Sequence, residues 1–253
     1  MTIDIQPLIA ERPHLKDPFE FYAKCQRFLG QAAALLPKRG AAPDNARAYP
    51  PVSAVPLLRA FASVFDLAPD SLSPLGLALQ AGKIDFLRLP LGEVPALPLA
   101  YPDEELAALL FLLSRPFFLG LHAICVLDGR EWEGGRCPLC SARPALSSIV
   151  DGPRRQLHCS WCGTTGPYRF IGCPNCGSED ANTLGTLAAE GEAGFRVATC
   201  DACQTYVKVV DDRVRAEMTT DLADLASLPL DIVTQEKGYL RRAPNPIGLL
   251  RIA

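Results

Sequence analysis

The stretch CPLCSARPALSSIVDGPRRQLHCSWC (residues 137–162), with its continuation CPNCGSEDANTLGTLAAEGEAGFRVATCDAC (residues 173–203), decides the fold of this chain. Eight of the ten cysteines lie in these two segments, all as Cys-x-x-Cys pairs: Cys137 with Cys140, Cys159 with Cys162, Cys173 with Cys176, and Cys200 with Cys203. A thioredoxin-type dithiol uses one such pair between a strand and a helix and would not recur four times in series. The N-terminus, MTIDIQPLIAERPHLKDP, has no cationic segment followed by an apolar run, so the chain is expected to be cytoplasmic. A reducing cytosol disfavours structural disulfides, which leaves metal ligation as the reading of the four pairs.

Eighteen residues separate Cys140 from Cys159, inside the zinc-ribbon range, and twenty-three separate Cys176 from Cys200, slightly beyond it. Residues 145–158 (ALSSIVDGPRRQLH) read as strand, Asp-Gly turn and strand, and residues 182–199 (NTLGTLAAEGEAGFRVAT) as strand, Gly-bounded turn and strand. Each hairpin returns one cysteine pair beside another, so two successive four-cysteine sites are the simplest arrangement. A cross-braced alternative joins the first pair to the third and the second to the fourth; it gives the ten residues between Cys162 and Cys173 no hairpin role.

Four thiolates suit tetrahedral zinc, or iron in a rubredoxin-like centre, and the ligand set alone does not choose between them. Such a site is closed, with no position for water or substrate, so hydrolytic metal catalysis is not expected and the chain is not read as an enzyme. His158 stands next to Cys159 but is redundant beside eight thiols, and is expected to be an outer neighbour of the ligands or a surface residue. Cys25 and Cys125 sit alone in apolar helical sequence, where a free thiol behaves as a small hydrophobe.

Outside the cysteine-rich part the sequence reads as helix. With 49% hydrophobic and 21% charged residues in 253, the chain can bury a sizeable core. Residues 19–36 place Phe21, Tyr22, Cys25, Phe28, Leu29, Ala32 and Leu36 near helical periodicity, with Pro37 as the stop. Further helices are expected over 54–67, over 73–89 with a break near Gly82, over 103–113 with Asp103 as N-cap, and over 117–132. The apolar stretch 106–127 is long enough to span a bilayer, but Arg115-Pro116 interrupts it and His122 follows; two buried helices joined by a bend are expected, without membrane insertion. Residues 221–237 form a helix that Pro229 kinks or splits, Gly238 stops it, and GYLRRAPNPIG (238–248) runs on as an extended tail that covers the fold or binds a partner. Among the familiar catalytic signatures, a phosphate loop, a nucleophile elbow and an HExxH pair are all missing from the N-terminal half.

The net charge of −3 supplies no global field for nucleic acid or anionic lipid. Residues 137–176 carry Arg143, Arg154, Arg155 and Arg169 against Asp151, a balance of +3; residues 176–210 carry Glu179, Asp180, Glu190, Glu192 and Asp201 against Arg196 and Lys208, a balance of −3. A divalent ion with four thiolates adds about −2 at each site, taking the halves to about +1 and about −5. These are poor balances for a nucleic-acid ribbon, although Arg154, Arg155 and Trp161, with Tyr168 and Phe170 close by, would be the residues to serve one.

At the cysteine pairs the sequence resembles the formate dehydrogenase accessory proteins of the FdhE type. The resembling segments are CPLCSARPALSSIV, RRQLHCSWCGTTG, RFIGCPNCG, ATCDACQTYVKVV, DLADLASLPLDIVTQEKGYLRRAPNP and, more weakly, FYAKCQRFLGQAAALLP. The resemblance implies a cytoplasmic assembly factor, itself no formate oxidiser, required for active respiratory formate dehydrogenase. It implies iron at the cysteine sites and the catalytic subunit of the dehydrogenase as partner. Its ligands fall on Cys137, Cys140, Cys159, Cys162, Cys173, Cys176, Cys200 and Cys203. Members commonly have Gly after the first pair, where this chain has Ser141.

The expected fold is therefore α+β: an N-terminal all-helical domain (1–132), two tandem rubredoxin-like or zinc-ribbon modules (133–172 and 173–212), and a C-terminal helix with its tail (213–253). The expected cofactors are two metal ions, iron or zinc, each held by four cysteines. The alternatives to an accessory protein are a zinc-ribbon nucleic-acid binder and a rubredoxin-like electron carrier.

Overall fold

The computed structural model describes residues 4–35, 54–68, 70–97, 101–125, 127–150, 152 and 154–252. The chain forms two compact units, residues 1–126 and 127–253.

Among the described residues of the first unit, all regular structure is helical: α1 (Gln6–Glu11), α2 (Lys16–Ala33), α3 (Ala54–Val64), α4 (Ser73–Gln80) and α5 (Asp103–Ile124), with 3-10 turns at Pro13–Leu15 and Phe86–Leu91. Helix α2 buries Phe19, Tyr22, Cys25, Phe28 and Ala32, three or four residues apart and hence on one face. Phe28 meets Phe61 of α3 edge-on with ring centroids 5.1 Å apart, and Phe61 stacks on Phe65 at 4.4 Å. The stop expected at Leu36 and Pro37 lies outside the described residues.

The break expected at Arg115-Pro116 does not occur, and α5 is one helix of 22 residues. Pro116 removes one intrahelical N–H donor. Residues 110–118 are all buried, so packing on every side carries the helix past that local loss. Asp103 lies in the first turn, where its charge favours the helix N-terminus; the N-cap is Pro102, which offers no side-chain cap. Helix α5 ends at Ile124, so the helix expected to reach Trp132 does not. Among the described residues α5 is the one helix long and apolar enough to cross a membrane, and 56% of its most apolar window is buried inside the protein.

Among its described residues the second unit has six strands: β1 (Leu146–Val150), β2 (Arg154–His158), β3 (Thr165–Tyr168), β4 (Leu184–Leu187), β5 (Phe195–Cys200) and β6 (Thr205–Asp211). Their order in the sheet is β3-β2-β1-β6-β5-β4. Strands β1–β3 and β4–β6 are two antiparallel ribbons. A parallel ladder between β1 and β6, with Leu146 opposite Lys208 and Ile149 opposite Asp211, makes them one sheet. Asp151 of the expected first turn lies outside the described residues, and Gly152 beside it has φ 86°. At the β3 edge Pro167 has no N–H to offer, as suits an edge strand. The chain before the first cysteine pair covers this edge: Gly129 N donates to Thr165 O at 2.9 Å and Trp132 N to Pro167 O at 3.1 Å.

Instead of one C-terminal helix there are three: α6 (Asp212–Glu217), α7 (Thr220–Ala226) and α8 (Leu228–Glu236). Pro229 splits the run by occupying the first turn of α8, where a missing N–H costs nothing. Thr219 caps α7, its Oγ1 accepting from Leu222 N at 3.3 Å. Helix α8 packs on β5 and β6. Beneath it lies a buried group of four charges: Lys208 Nζ stands 2.7 Å from Asp224 Oδ1 and 2.5 Å from Asp231 Oδ2. Arg241 Nη2 stands 2.5 Å from Asp224 Oδ2, and its Nη1 3.0 Å from Asp231 Oδ1. Tyr206 donates its hydroxyl to Asp231 Oδ1 at 2.6 Å. The tail is thus a packing segment at Leu240, which bridges Thr205, and at Arg241, while Arg242 is exposed.

Candidate metal centres

Each ribbon repeats one plan: cysteine pair, strand, strand, cysteine pair, strand. Each pair closes a tight turn. Ser141 N donates to Cys137 O at 2.9 Å, Gly163 N to Cys159 O at 3.1 Å and Gly177 N to Cys173 O at 2.8 Å. The residue after every pair is left-handed: Ser141 (φ 62°), Gly163 (78°), Gly177 (81°) and Gln204 (51°). Two of the four positions hold the glycine this backbone favours, and two hold side chains at some cost.

The turns bring sequential pairs together and leave the cross-braced alternative without support. Cys137, Cys140, Cys159 and Cys162 form one group and Cys173, Cys176, Cys200 and Cys203 another, with all sulfurs of each within 4.8 Å of one another. Cys137 Sγ lies 3.5 Å from Cys162 Sγ, and Cys140 Sγ 3.4 Å from Cys159 Sγ. In the second group the corresponding contacts are both 3.7 Å, Cys173 to Cys203 and Cys176 to Cys200. None of the eight is in a disulfide. Four thiolates at about 2.3 Å around a tetrahedral ion stand about 3.8 Å apart, so both donor sets fit such an ion.

Without an ion the thiols of a group do not ionise alike. Cys137 is held well below the usual thiol range because the other three cysteines of its group donate hydrogen bonds to it, while burial pushes Cys140 and Cys159 up. In the second group burial raises Cys200, and pushes Cys203 up to about 12. Four neighbouring sulfurs cannot all ionise unaided; a divalent cation is what would let them. A threonine hydroxyl serves each group at the same place: Thr164 Oγ1 is 3.1 Å from Cys162 Sγ, and Thr205 Oγ1 is 3.0 Å from Cys203 Sγ. The motif Cys-x-x-Cys-x-Thr, at 159–164 and 200–205, carries this in the sequence, a signal that the cysteine spacing alone does not single out.

The two groups differ in access. All four cysteines of the first are buried, whereas Cys176 is exposed and Cys203 half-buried. His158 belongs to neither group; it is buried, with Nε2 2.8 Å from Ser148 Oγ and Nδ1 3.0 Å from Thr165 Oγ1. Cys25 is buried in α2, and Cys125 is half-buried at the end of α5. Arg155 and Trp161, the side chains a nucleic-acid reading would use, are buried, as is Tyr168.

Comparison with known proteins converges on one family. The family described as FdhE, C-terminal domain, matches residues 171–248. An FdhE homologue from Aquifex aeolicus is 29% identical over 150 residues, covering 58% of this chain and 53% of that protein. One from Shewanella baltica is 35% identical over 114 residues, covering 44% and 38%. An Escherichia coli protein named FdhE is 32% identical over 114 residues, covering 44% and 36%. The chain thus spans about half, or less, of the length of these relatives. The crystal structure of the FdhE protein from Pseudomonas aeruginosa has the same fold, with a TM-score of 0.63 at 23% identity over 91% of this chain and 88% of that one.

Proposed function

We propose, from the premise that the chain belongs to the FdhE family, that it is a cytoplasmic accessory protein for the maturation of respiratory formate dehydrogenase. It acts as a metal-stabilised scaffold, not as an enzyme. The observation that supports this best is the pair of four-sulfur groups: with all four ligand positions supplied by protein, neither has a vacant position for water or substrate at an ion. In this reading Cys137, Cys140, Cys159 and Cys162 hold one ion, and Cys173, Cys176, Cys200 and Cys203 hold the other. Iron would add a capacity for one-electron change, while zinc would be structural alone.

The partner is the catalytic subunit of formate dehydrogenase, held while its cofactor is completed. The test is capture of that purified subunit by the immobilised full chain, together with formate oxidation in cells lacking the gene. Capture that fails after the cysteines are changed to serine supports the reading; undiminished formate oxidation in the deletion strain ends it.

A second reading, a rubredoxin-like electron carrier, is favoured by the exposure of Cys176. It requires a coloured iron protein that bleaches reversibly on reduction.

A further inference from the structure

The second four-cysteine group and its surroundings differ from the first in two ways that belong together. Its ligands are reachable: Cys176 is exposed, Cys203 half-buried, and a cleft of about 200 Å3 reaches Cys173 and Cys200 between β5 and the loop carrying Phe170. Phe170 and Ile171 are themselves exposed. The first group has all four ligands buried.

The second difference is an unusual cation. Arg155, on β2 of the first ribbon, is only 6% exposed. Among the described residues no carboxylate pairs with it. Its Nε donates to Ser147 Oγ at 2.9 Å and its Nη1 to Gly172 O at 2.9 Å, while Nη2 has no partner. A buried cation without a counter-charge is costly. Its guanidinium lies over the Tyr168 ring at 5.8 Å, and the second four-cysteine group begins at Cys173, directly after the carbonyl Arg155 binds; Tyr168 and then Cys173 interact with it electrostatically. A second arginine of the first ribbon reaches the same loop: Arg143 Nη1 donates to Pro174 O at 3.0 Å. The approach is close, since a Cβ on Gly135 would stand 1.9 Å from Pro174 O.

We propose that the second four-cysteine group is an exchangeable metal site, open to incoming ligands, and that Arg155 is the positioning residue whose charge retains its ion. This rests on the metal reading of the previous section. Retention by burial and retention by charge are then divided between the two groups. With an ion held by the group, Cys176 Sγ, its exposed ligand, would be the one an incoming donor displaces; the sulfur would leave as thiolate and take a proton from water. No electron moves. The incoming ligand class is a soft or borderline donor, thiolate or imidazole, small enough for the exposed face of the group.

The test uses the full chain loaded with two zinc ions, a colorimetric chelator, and iodoacetamide labelling mapped by mass spectrometry. One ion per chain should leave in a fast phase, with labelling first at Cys176 and Cys203, and the other ion should leave slowly. Arg155→Met should speed the fast phase roughly tenfold to a hundredfold, the usual effect of losing an outer partner of a metal ligand, and leave the slow phase unchanged. Arg155→Lys should restore most of the retention, and a circular-dichroism spectrum matching the native chain shows that either variant has folded. Release in one phase, or first labelling at Cys137, Cys140, Cys159 or Cys162, overturns the exchange site. An unchanged fast phase in a folded Arg155→Met chain overturns the role of Arg155. A chain that takes up no metal overturns the underlying metal reading instead.

Discussion

Arg241 joins the C-terminal tail to both buried carboxylates at once, with Nη2 2.5 Å from Asp224 Oδ2 and Nη1 3.0 Å from Asp231 Oδ1. Lys208, rising from β6, meets the same two carboxylates, so two cations and two anions neutralise one another out of reach of water. Burial alone would depress the Arg241 guanidinium; Asp224 and Asp231 more than reverse that and raise it.

Removing one member leaves a charge without its partner, which costs more than the pair contributes. Arg241→Met is expected to lower the unfolding free energy of the chain by about 3–5 kcal/mol, read from urea denaturation. A loss below about 1 kcal/mol, the figure for exposed ion pairs, would show that the four charges do not act as a buried group.

The same cluster sets a pH dependence. Burial would raise the Asp224 carboxyl, but Arg241 and Lys208 outweigh it and hold the group below its ordinary range. A carboxyl lower in the folded than in the unfolded chain contributes stability that is complete above about pH 4 and vanishes as pH falls through the folded value. The stability difference between the native chain and Asp224→Asn should therefore narrow as pH drops below about 4. A difference that stays constant to the point of acid unfolding refutes the assignment. Tyr206 works from the other side: burial, and then Asp231, raise its phenol, so it stays protonated and its contribution is lost only in strong alkali.

Ser141 and Gln204 occupy left-handed positions that Gly163 and Gly177 fill in the other two turns. Ser141→Gly should stabilise the chain by about 0.5–1 kcal/mol, the relief of left-handed strain less the added freedom of glycine in the unfolded state. Thermal unfolding of the metal-loaded protein measures it, and a lower midpoint contradicts it.

The two cysteine groups should tolerate loss differently. A structural ion contributes about 10–16 kcal/mol, as much as or more than the whole stability of a typical domain. Cys140→Ser, in the buried group, is expected to leave the second unit open to limited proteolysis. Cys176→Ser, at the exposed edge of the other, should leave the first ribbon protected and reduce bound metal by one ion per chain. Equal proteolysis of the two variants would contradict this.

The eight sulfur positions were legible because a Cys-x-x-Cys turn is local and its hairpin carries its own turn residues. Pro229 was legible for the same reason. The parallel pairing of β1 with β6 was not, since residues distant in sequence leave no local sign of which strands will meet. Lys208 left a sign that went unread: it stands in Thr-Tyr-Val-Lys-Val-Val, a strand otherwise without charge, as Asp231 stands in Leu-Pro-Leu-Asp-Ile-Val. Charges inside apolar runs ask for buried partners. Pro116 misled in the opposite direction, because enclosure of α5 overrides a local breaking signal.

The parallel ladder from Leu146–Lys208 to Ile149–Asp211 links residues about sixty positions apart. During synthesis, cysteines 137–162 emerge and can close around an ion well before residue 211 has left the ribosome. For that interval β1 offers an unsatisfied row of amides and carbonyls, the kind of surface on which nascent chains stick to one another. The arrival of β6 seals it, so a chain truncated before Thr205 would keep a loaded first ribbon and still be prone to clump.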